Sequence, residues 1–155
     1  MSPQLTVFFT AMTPFLELKL AIPLGKAIGL SSTSTFIYAI AGTLVPAVIG
    51  LAVATPLSTF LIKKSKLLNK FLNYLFHKTR KHHSKNFARY GTIFLILFVG
   101  TPLPGSGAAS GALIAFLFNV DYWKAITVII IGSVLQAFLI TEGVNSIINL
   151  INLLN

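Results

Sequence analysis

Two stretches decide how this chain folds: Phe15-Leu-Glu-Leu-Lys-Leu-Ala-Ile-Pro-Leu-Gly25 and Thr101-Pro-Leu-Pro-Gly-Ser-Gly-Ala-Ala-Ser-Gly111. Each sets proline, glycine and ionisable or hydroxyl groups inside a long apolar run, at matching places in the two halves of the chain. Backbone that is not helical at membrane depth is tolerated only where protein buries it or water lines it. The two stretches therefore mark a candidate functional cavity.

The runs around them are apolar enough for a bilayer. Of 155 residues, 55% are hydrophobic and only 10% charged, too oily for a soluble domain of this length. No charge occurs from Ala27 to Ile62 or from Tyr90 to Val120, and after Lys124 only Glu142 interrupts the last run. Each run exceeds the roughly 20 residues needed to cross a membrane. The first run has no preceding Lys or Arg and no small-residue cleavage pattern, so it is expected to remain in place. The absence of cysteine excludes disulfides and thiolate chemistry.

The net charge of +9 raises the question of nucleic acid, but its distribution answers it. Nine of the twelve Lys and Arg lie between Lys63 and Arg89, between two membrane segments. The positive-inside rule places that block in the cytoplasm, and no nucleic-acid partner is expected. Within it Leu67, Leu68, Phe71, Leu72, Leu75 and Phe76 recur at helical spacing opposite Lys66, Lys70 and His77. This is an amphipathic connector helix, lying in the membrane surface or packed on the protein's own helices. His77, His82 and His83 sit among cations with no carboxylate in the block, so no metal site is expected there, and no cofactor.

The chain reads as two repeats, 1–62 and 90–155, joined by the basic connector 63–89. In the first, Leu5 to Leu16 is a short arm ended by Thr13-Pro14, the break is centred on Pro23 and Gly25, and Lys26 to Leu30 returns. A long helix follows from about Thr35 to Ile62, interrupted by Pro46 and Pro56. In the second, Tyr90 to Val99, Thr101 to Gly111, Ala112 to Val120 and a helix from about Ala125 follow the same order. Shifting the chain by 90 positions pairs Leu5 with Leu95, Phe8 with Phe98, Pro14 with Pro104, Ile40 with Ile130, Gly42 with Gly132 and Ala47 with Ala137. If each broken segment enters and leaves on one face, the long helix carries the chain across and the second hairpin enters from the opposite face. The expected fold is thus an all-α integral membrane protein, an inverted repeat of re-entrant helical hairpin plus long transmembrane helix. Both termini lie outside, and the hairpin tips meet near the midplane.

Glu17 is the most informative ionisable residue, because a carboxylate in an apolar segment costs several kcal/mol unless paired, protonated or hydrated. It is a candidate proton-coupling group, or a solvated residue at the outer interface. Lys19 and Lys26 either hold an anionic substrate group or snorkel to the outer head groups. Pro102, Pro104, Gly105, Ser106, Gly107, Ser110 and Gly111 form a helix start where exposed N–H groups and two hydroxyls favour an anion, or where small residues pack tightly. Gln136 and Glu142, in the last helix, either face the same cavity or, for Glu142, sit at the interface.

The element E-L-K-x-A-I-P-L-G beginning at Glu17 and the later P-L-P-G-S-G-A-x-S-G-A beginning at Pro102 together resemble the small multidrug export family of prokaryotic membrane proteins, a distant relative of the DedA superfamily. The resemblance implies two re-entrant hairpins in the cytoplasmic membrane of a prokaryote. Through the superfamily it implies movement of lipids or of lipid-linked carriers such as undecaprenyl phosphate. It selects Glu17, Lys19, Pro23 and Gly25, then Pro102, Pro104, Gly105, Gly107 and Gly111. DedA proteins show arginines in the second hairpin region, and this chain has none there.

The expected function is a flippase or scramblase of a lipid or lipid-linked phosphate, with membrane lipids as partners. The alternative is a proton-coupled exporter of small cationic molecules; a non-transporting assembly protein ranks below both. An enzyme is not expected, since no histidine lies near the serines of the second break and Glu17, Asp121 and Glu142 are dispersed. So small a chain encloses little space, and a homo-dimer through glycine-bearing helix faces is expected.

Overall fold

A long apolar run satisfies its backbone only by pairing it internally, and here such runs become helices. The computed structural model describes residues 2–14, 16–64, 74 and 90–154. Among them are α1 (Pro3–Ala11), α2 (Glu17–Ala27), α3 (Ser32–Lys64), α4 (Tyr90–Gly100), α5 (Ala108–Leu117) and α6 (Tyr122–Leu154). Of the connector 63–89, Lys63 and Lys64 end α3 and Tyr74 is helical and exposed; the rest, with its histidines, falls outside the described residues.

The first arm ends at Thr13-Pro14 as expected, but the break centred on Pro23 and Gly25 does not form. Pro23 sits inside α2 rather than ending it, and the chain turns instead between Met12 and Leu16. The returning arm is Glu17–Ala27 rather than Lys26 to Leu30. A proline costs a helix one hydrogen bond, and Gly25, pressed against Thr35 and Val7, fixes this stretch by packing. In the second half the turn occupies residues 101–107, and α5 already begins at Ala108.

Both long helices are suited to crossing a bilayer: Ser32–Ala54 of α3 (23 residues) and all 33 residues of α6 are apolar enough. The short helices, of 9, 11 and 10 residues in α1, α2 and α5, reach only about 15 Å at 1.5 Å per residue.

Two apolar clusters hold the body together. One gathers Val7 and Ala11 of α1, Leu18, Ala21 and Ile22 of α2, Ala39 of α3 and Ala137 of α6. The other gathers Leu95 and Val99 of α4, Ala108, Ala112 and Ala115 of α5, Ala47 and Leu51 of α3, and Ala125, Val128 and Ile129 of α6. The helices α3 and α6 pass through both clusters in opposite order, so they run antiparallel. Each short pair packs at one end, and the starts of α2 and α5 face each other where the clusters meet.

Local hydrogen bonding repeats at the same offset of 90. After α2 the chain turns at Gly29 (φ 81°), with Leu30 N–H donating to Gly25 O at 2.9 Å and Gly29 N–H to Lys26 O at 3.1 Å. After α5 it turns at Asn119 (φ 55°), with Val120 N–H donating to Ala115 O at 2.9 Å and Asn119 N–H to Phe116 O at 3.0 Å. Glycine and asparagine are the residues that accept this left-handed C-cap. The long helices then begin alike: Ser31 Oγ accepts Ser34 N–H at 3.2 Å, and Asp121 Oδ2 accepts Lys124 N–H at 3.5 Å. Gly42 of α3 presses on α1, where a Cβ would lie 2.9 Å from Ala11 Cβ. Gly132 of α6 presses on α4, where a Cβ would lie 2.6 Å from Val99 Cβ.

The outward surfaces stay apolar. Leu5 and Phe9 on α1, Ile93, Phe94 and Leu97 on α4, and Ile130, Ile131, Val134 and Phe138 on α6 are exposed. Apolar patches of this extent mark contact with lipid or with another chain.

Candidate functional site

Glu17 begins α2 in a left-handed conformation, φ 41°, which costs a non-glycine residue about 1–2 kcal/mol. Its surroundings hold it there. The residue is only 1% exposed, and its carboxylate reaches across to the start of α5. Oε2 accepts the N–H of Ala108 at 3.1 Å and Oε1 the N–H of Ala109 at 3.0 Å. Two N–H groups unused by the helix and the positive end of its dipole thus compensate a buried negative charge.

Gly107 makes the approach feasible. At φ 143° it adopts backbone open essentially to glycine alone, and a Cβ there would sit 2.8 Å from Glu17 Cδ and overlap Oε2. Beside it, Lys19 Nζ donates to the carbonyl of Ser106. The Ser106 hydroxyl ties the turn: it accepts Leu103 N–H at 3.0 Å and donates to the carbonyl of Thr101, with Leu103 O also within 2.8 Å. Two residues of α2, a carboxylate and an ammonium, therefore hold Ser106 at the end of the second turn and Ala108 and Ala109 at the start of α5.

The same turn forms one wall of a groove of about 300 Å³. Phe94, Leu97 and Phe98 of α4 form the other wall, the two rings stacked with centroids 5.9 Å apart; Leu103, Pro104 and Ser106 close it. An apolar trough thus opens next to the residue that carries the lysine.

The family model described as "Putative small multi-drug export protein" matches residues 17–139. The chain belongs to this family. The match begins at Glu17 and takes in α2, the second break and α6 as far as Leu139. No curated protein and no solved structure shows a significant match to the chain. Family and apolar helices together support a membrane-embedded export protein.

Within this export protein the expected site residues divide by place. Glu17, Lys19, Ser106 and Gly107 meet at the junction. Pro102, Pro104 and Gly105 lie exposed in the turn, and Gly111 packs on Val99 one turn into α5, with Ser110 half-buried beside it. Pro23 and Gly25 lie further along α2. Lys26 lies at its far end, donating to Ser32 Oγ at 2.8 Å and to Asn145 Oδ1 of α6. Glu142 is exposed on α6. Lys26 and Glu142 are thus no part of the junction.

Gln136 is fully buried, and among the described residues neither end of its amide has a hydrogen-bond partner. Ser133, three residues earlier on the same face of α6, is also buried, and its hydroxyl has no partner among the described residues. Both lie on the part of α6 that passes from one apolar cluster to the other. Sequence reasoning missed Ser133, although its helical spacing from Gln136 was the signal to follow. Buried unpartnered polar groups cost about 1–3 kcal/mol each, so Gln136→Leu is expected to stabilise the protein by that order. The check is the thermal midpoint in detergent: a rise is expected, whereas a fall would show that the amide has a partner.

Proposed function

We propose that this protein carries an amphiphile across the cytoplasmic membrane, as a flippase or scramblase of a lipid or lipid-linked phosphate, working at the junction of α2 and α5. The observation that carries the reading is the Glu17 carboxylate on the N–H groups of Ala108 and Ala109. It ties the two polar breaks through one ionisable group inside an apolar body, where a charge is costly unless it has work to do.

The reading takes α1–α2 and α4–α5 as re-entrant hairpins, each arm spanning about half the roughly 30 Å apolar thickness. Antiparallel α3 and α6, with the caps and glycine contacts recurring at an offset of 90, support an inverted repeat. The termini lie outside, and the segment 63–89 faces the cytoplasm. Among the described residues a Cβ added at Gly50 or Gly143 would meet nothing within 4 Å, so these faces of α3 and α6 have room for a second copy, which supports a homo-dimer. The lipid substrate is taken from the resemblance to the DedA superfamily.

Proton coupling follows from the clamp. Protonating Glu17 removes the charge for which the α5 N–H groups compensate, so proton uptake loosens one hairpin from the other. Transport by this route moves a proton with, or against, the amphiphile.

The family's description names drug export, and the second reading is proton-coupled export of small cationic molecules. The two differ in the sign of the charge they must accept. For an anionic lipid, Lys19→Gln is expected to slow transport in proteoliposomes on the order of tenfold, the loss of one hydrogen bond to a charged group. Adding Lys26→Gln should change little, because Lys26 is held at the other end of α2. A lipid-transport rate unchanged in Lys19→Gln, with cation export preserved or faster, would favour the exporter.

A further inference from the structure

We propose that Gln136 of α6 is the second partner of Glu17: once protonated, the Glu17 carboxyl leaves the α5 N–H groups and donates its hydrogen to the Gln136 side-chain oxygen. The proposal deepens the transport reading and rests on its use of Glu17 as the coupling group.

Two independent registers bring Gln136 to the level of the Glu17 contact. The helices α2 and α6 run parallel, with Leu18 and Ala137 in one apolar cluster and Lys26 Nζ donating to Asn145 Oδ1 further along. Nine residues back from that bond stand Glu17 on one helix and Gln136 on the other. The helix α5 runs antiparallel to α6, and a Cβ at Gly111 would lie 3.7 Å from Ile129 Cγ1. Four residues back along α5 and four forward along α6 bring Gly107 level with Ser133. One turn further on the same stripe of α6, Gln136 reaches the level just beyond the start of α5, where the Glu17 carboxylate sits.

Hydrogen-bond chemistry then requires a move. A carboxylate only accepts, which suits two N–H donors; the acid carries a hydrogen of its own and would set donor against donor there. The proton comes from the aqueous phase and forms one O–H bond. In an apolar interior that hydrogen needs an acceptor, and Gln136 is buried with an amide that has no partner among the described residues. Ser133, buried and unpartnered in the same sense at the level of Gly107, gives the α5 N–H groups an acceptor when Glu17 leaves. The one charged side chain beside Glu17 is Lys19, held on the Ser106 carbonyl. The helices α1, α4 and α5, and α3 as far as Ile62, carry no charge, and on α6 Lys124 and Glu142 lie well over a turn from Gln136 on either side.

Labelled glutamate and glutamine test this in the intact chain in lipid bilayers. The chain has two glutamates, Glu17 and Glu142, and two glutamines, Gln4 and Gln136. With carbon-13 in the glutamate carboxyls and nitrogen-15 in the glutamine amides, the Glu17 carboxyl shift reports protonation and its dephasing reports contact. Below the protonation midpoint, dephasing corresponding to about 4–5 Å is expected to appear, and to vanish in Gln136→Leu, which separates it from Gln4. In an alanine-labelled sample the contact with Ala108 and Ala109 should fade over the same pH range. In Gln136→Leu, or in Gln136→Met if the first misfolds, the acid form should need about tenfold more protons, the loss of one hydrogen bond to the acid. An unchanged midpoint overturns the proposal, as does a protonated Glu17 that keeps its alanine contact or gains no glutamine contact. A full exchange of contacts in a protein that moves no amphiphile in proteoliposomes establishes the pair and defeats the transport reading alone.

Discussion

Gly107→Ala is expected to remove on the order of 3–5 kcal/mol of stability, enough to leave little folded protein in detergent. Two costs act together. The φ of 143° is strained for any side chain, at about 1–3 kcal/mol. The new methyl would also overlap the Glu17 carboxylate and drive it from the N–H groups of Ala108 and Ala109. Hydrogen bonds to a charged group are worth about 1.5–3 kcal/mol, and here their loss also leaves the carboxylate buried without partners. The two costs separate in a double variant. In a Glu17→Ala background the carboxylate is absent, so Gly107→Ala should then cost only its backbone strain, giving a coupling of about 1.5–3 kcal/mol between the positions. Additive effects in the thermal midpoint would mean that residues 17 and 107 do not touch.

Glu17→Gln is expected to abolish proton-coupled transport while leaving the helices formed. The amide keeps the shape of the acid, and its oxygen can still accept one N–H of α5. Its NH2 group, however, would face the other N–H, donor against donor, and the charge that balanced the helix dipole is gone. A loss of about 1–3 kcal/mol in stability follows, smaller than for Gly107→Ala. Transport in proteoliposomes should fall at least tenfold, with no proton movement accompanying what remains. Glu17→Asp tests reach: its shorter side chain should fail to span to Ala109, so retention of charge alone should not restore the rate. Full activity in Glu17→Gln would remove the carboxylate from the mechanism.

Much of this architecture was legible in the residues. Charge-free runs located the long helices, although the sequence placed the start of the last near Ala125 and α6 begins at Tyr122. The offset of 90 rested on six identities; Gly29 and Asn119, residues that differ in sequence, share a positive φ and the same capping hydrogen bonds. Turn positions were less legible. Pro23 reads as a breaker, yet packing of Gly25 against Thr35 carries α2 through it, while the turn falls at Thr13-Pro14, which the sequence marks only as the end of the first arm.

The site itself was half visible. Glu17 and the glycine-rich helix start were each singled out, one as an acid needing compensation and the other as a seat for an anion. That the two needs answer each other could not be read from residues 91 positions apart. One trace was present: Gly107-Ala-Ala-Ser offers no acidic group of its own to the start of α5. Ser133 passed unnoticed because a lone serine in an apolar helix commonly bonds back to its own backbone.

The contact between the hairpins can be measured as a distance. The chain has only two glutamates, Glu17 and Glu142, so carboxyl carbon-13 labelling of glutamate gives two signals in a solid-state spectrum of the protein in lipid bilayers. With alanine labelled in nitrogen-15, the Glu17 carboxyl carbon should show dipolar dephasing corresponding to about 4 Å, from Ala108 and Ala109 at once. Glu142, on the exposed face of α6, serves as the internal control. Dephasing of the Glu17 signal no stronger than that of Glu142 would mean that the carboxylate does not sit on α5, and that the two hairpins are not joined through it.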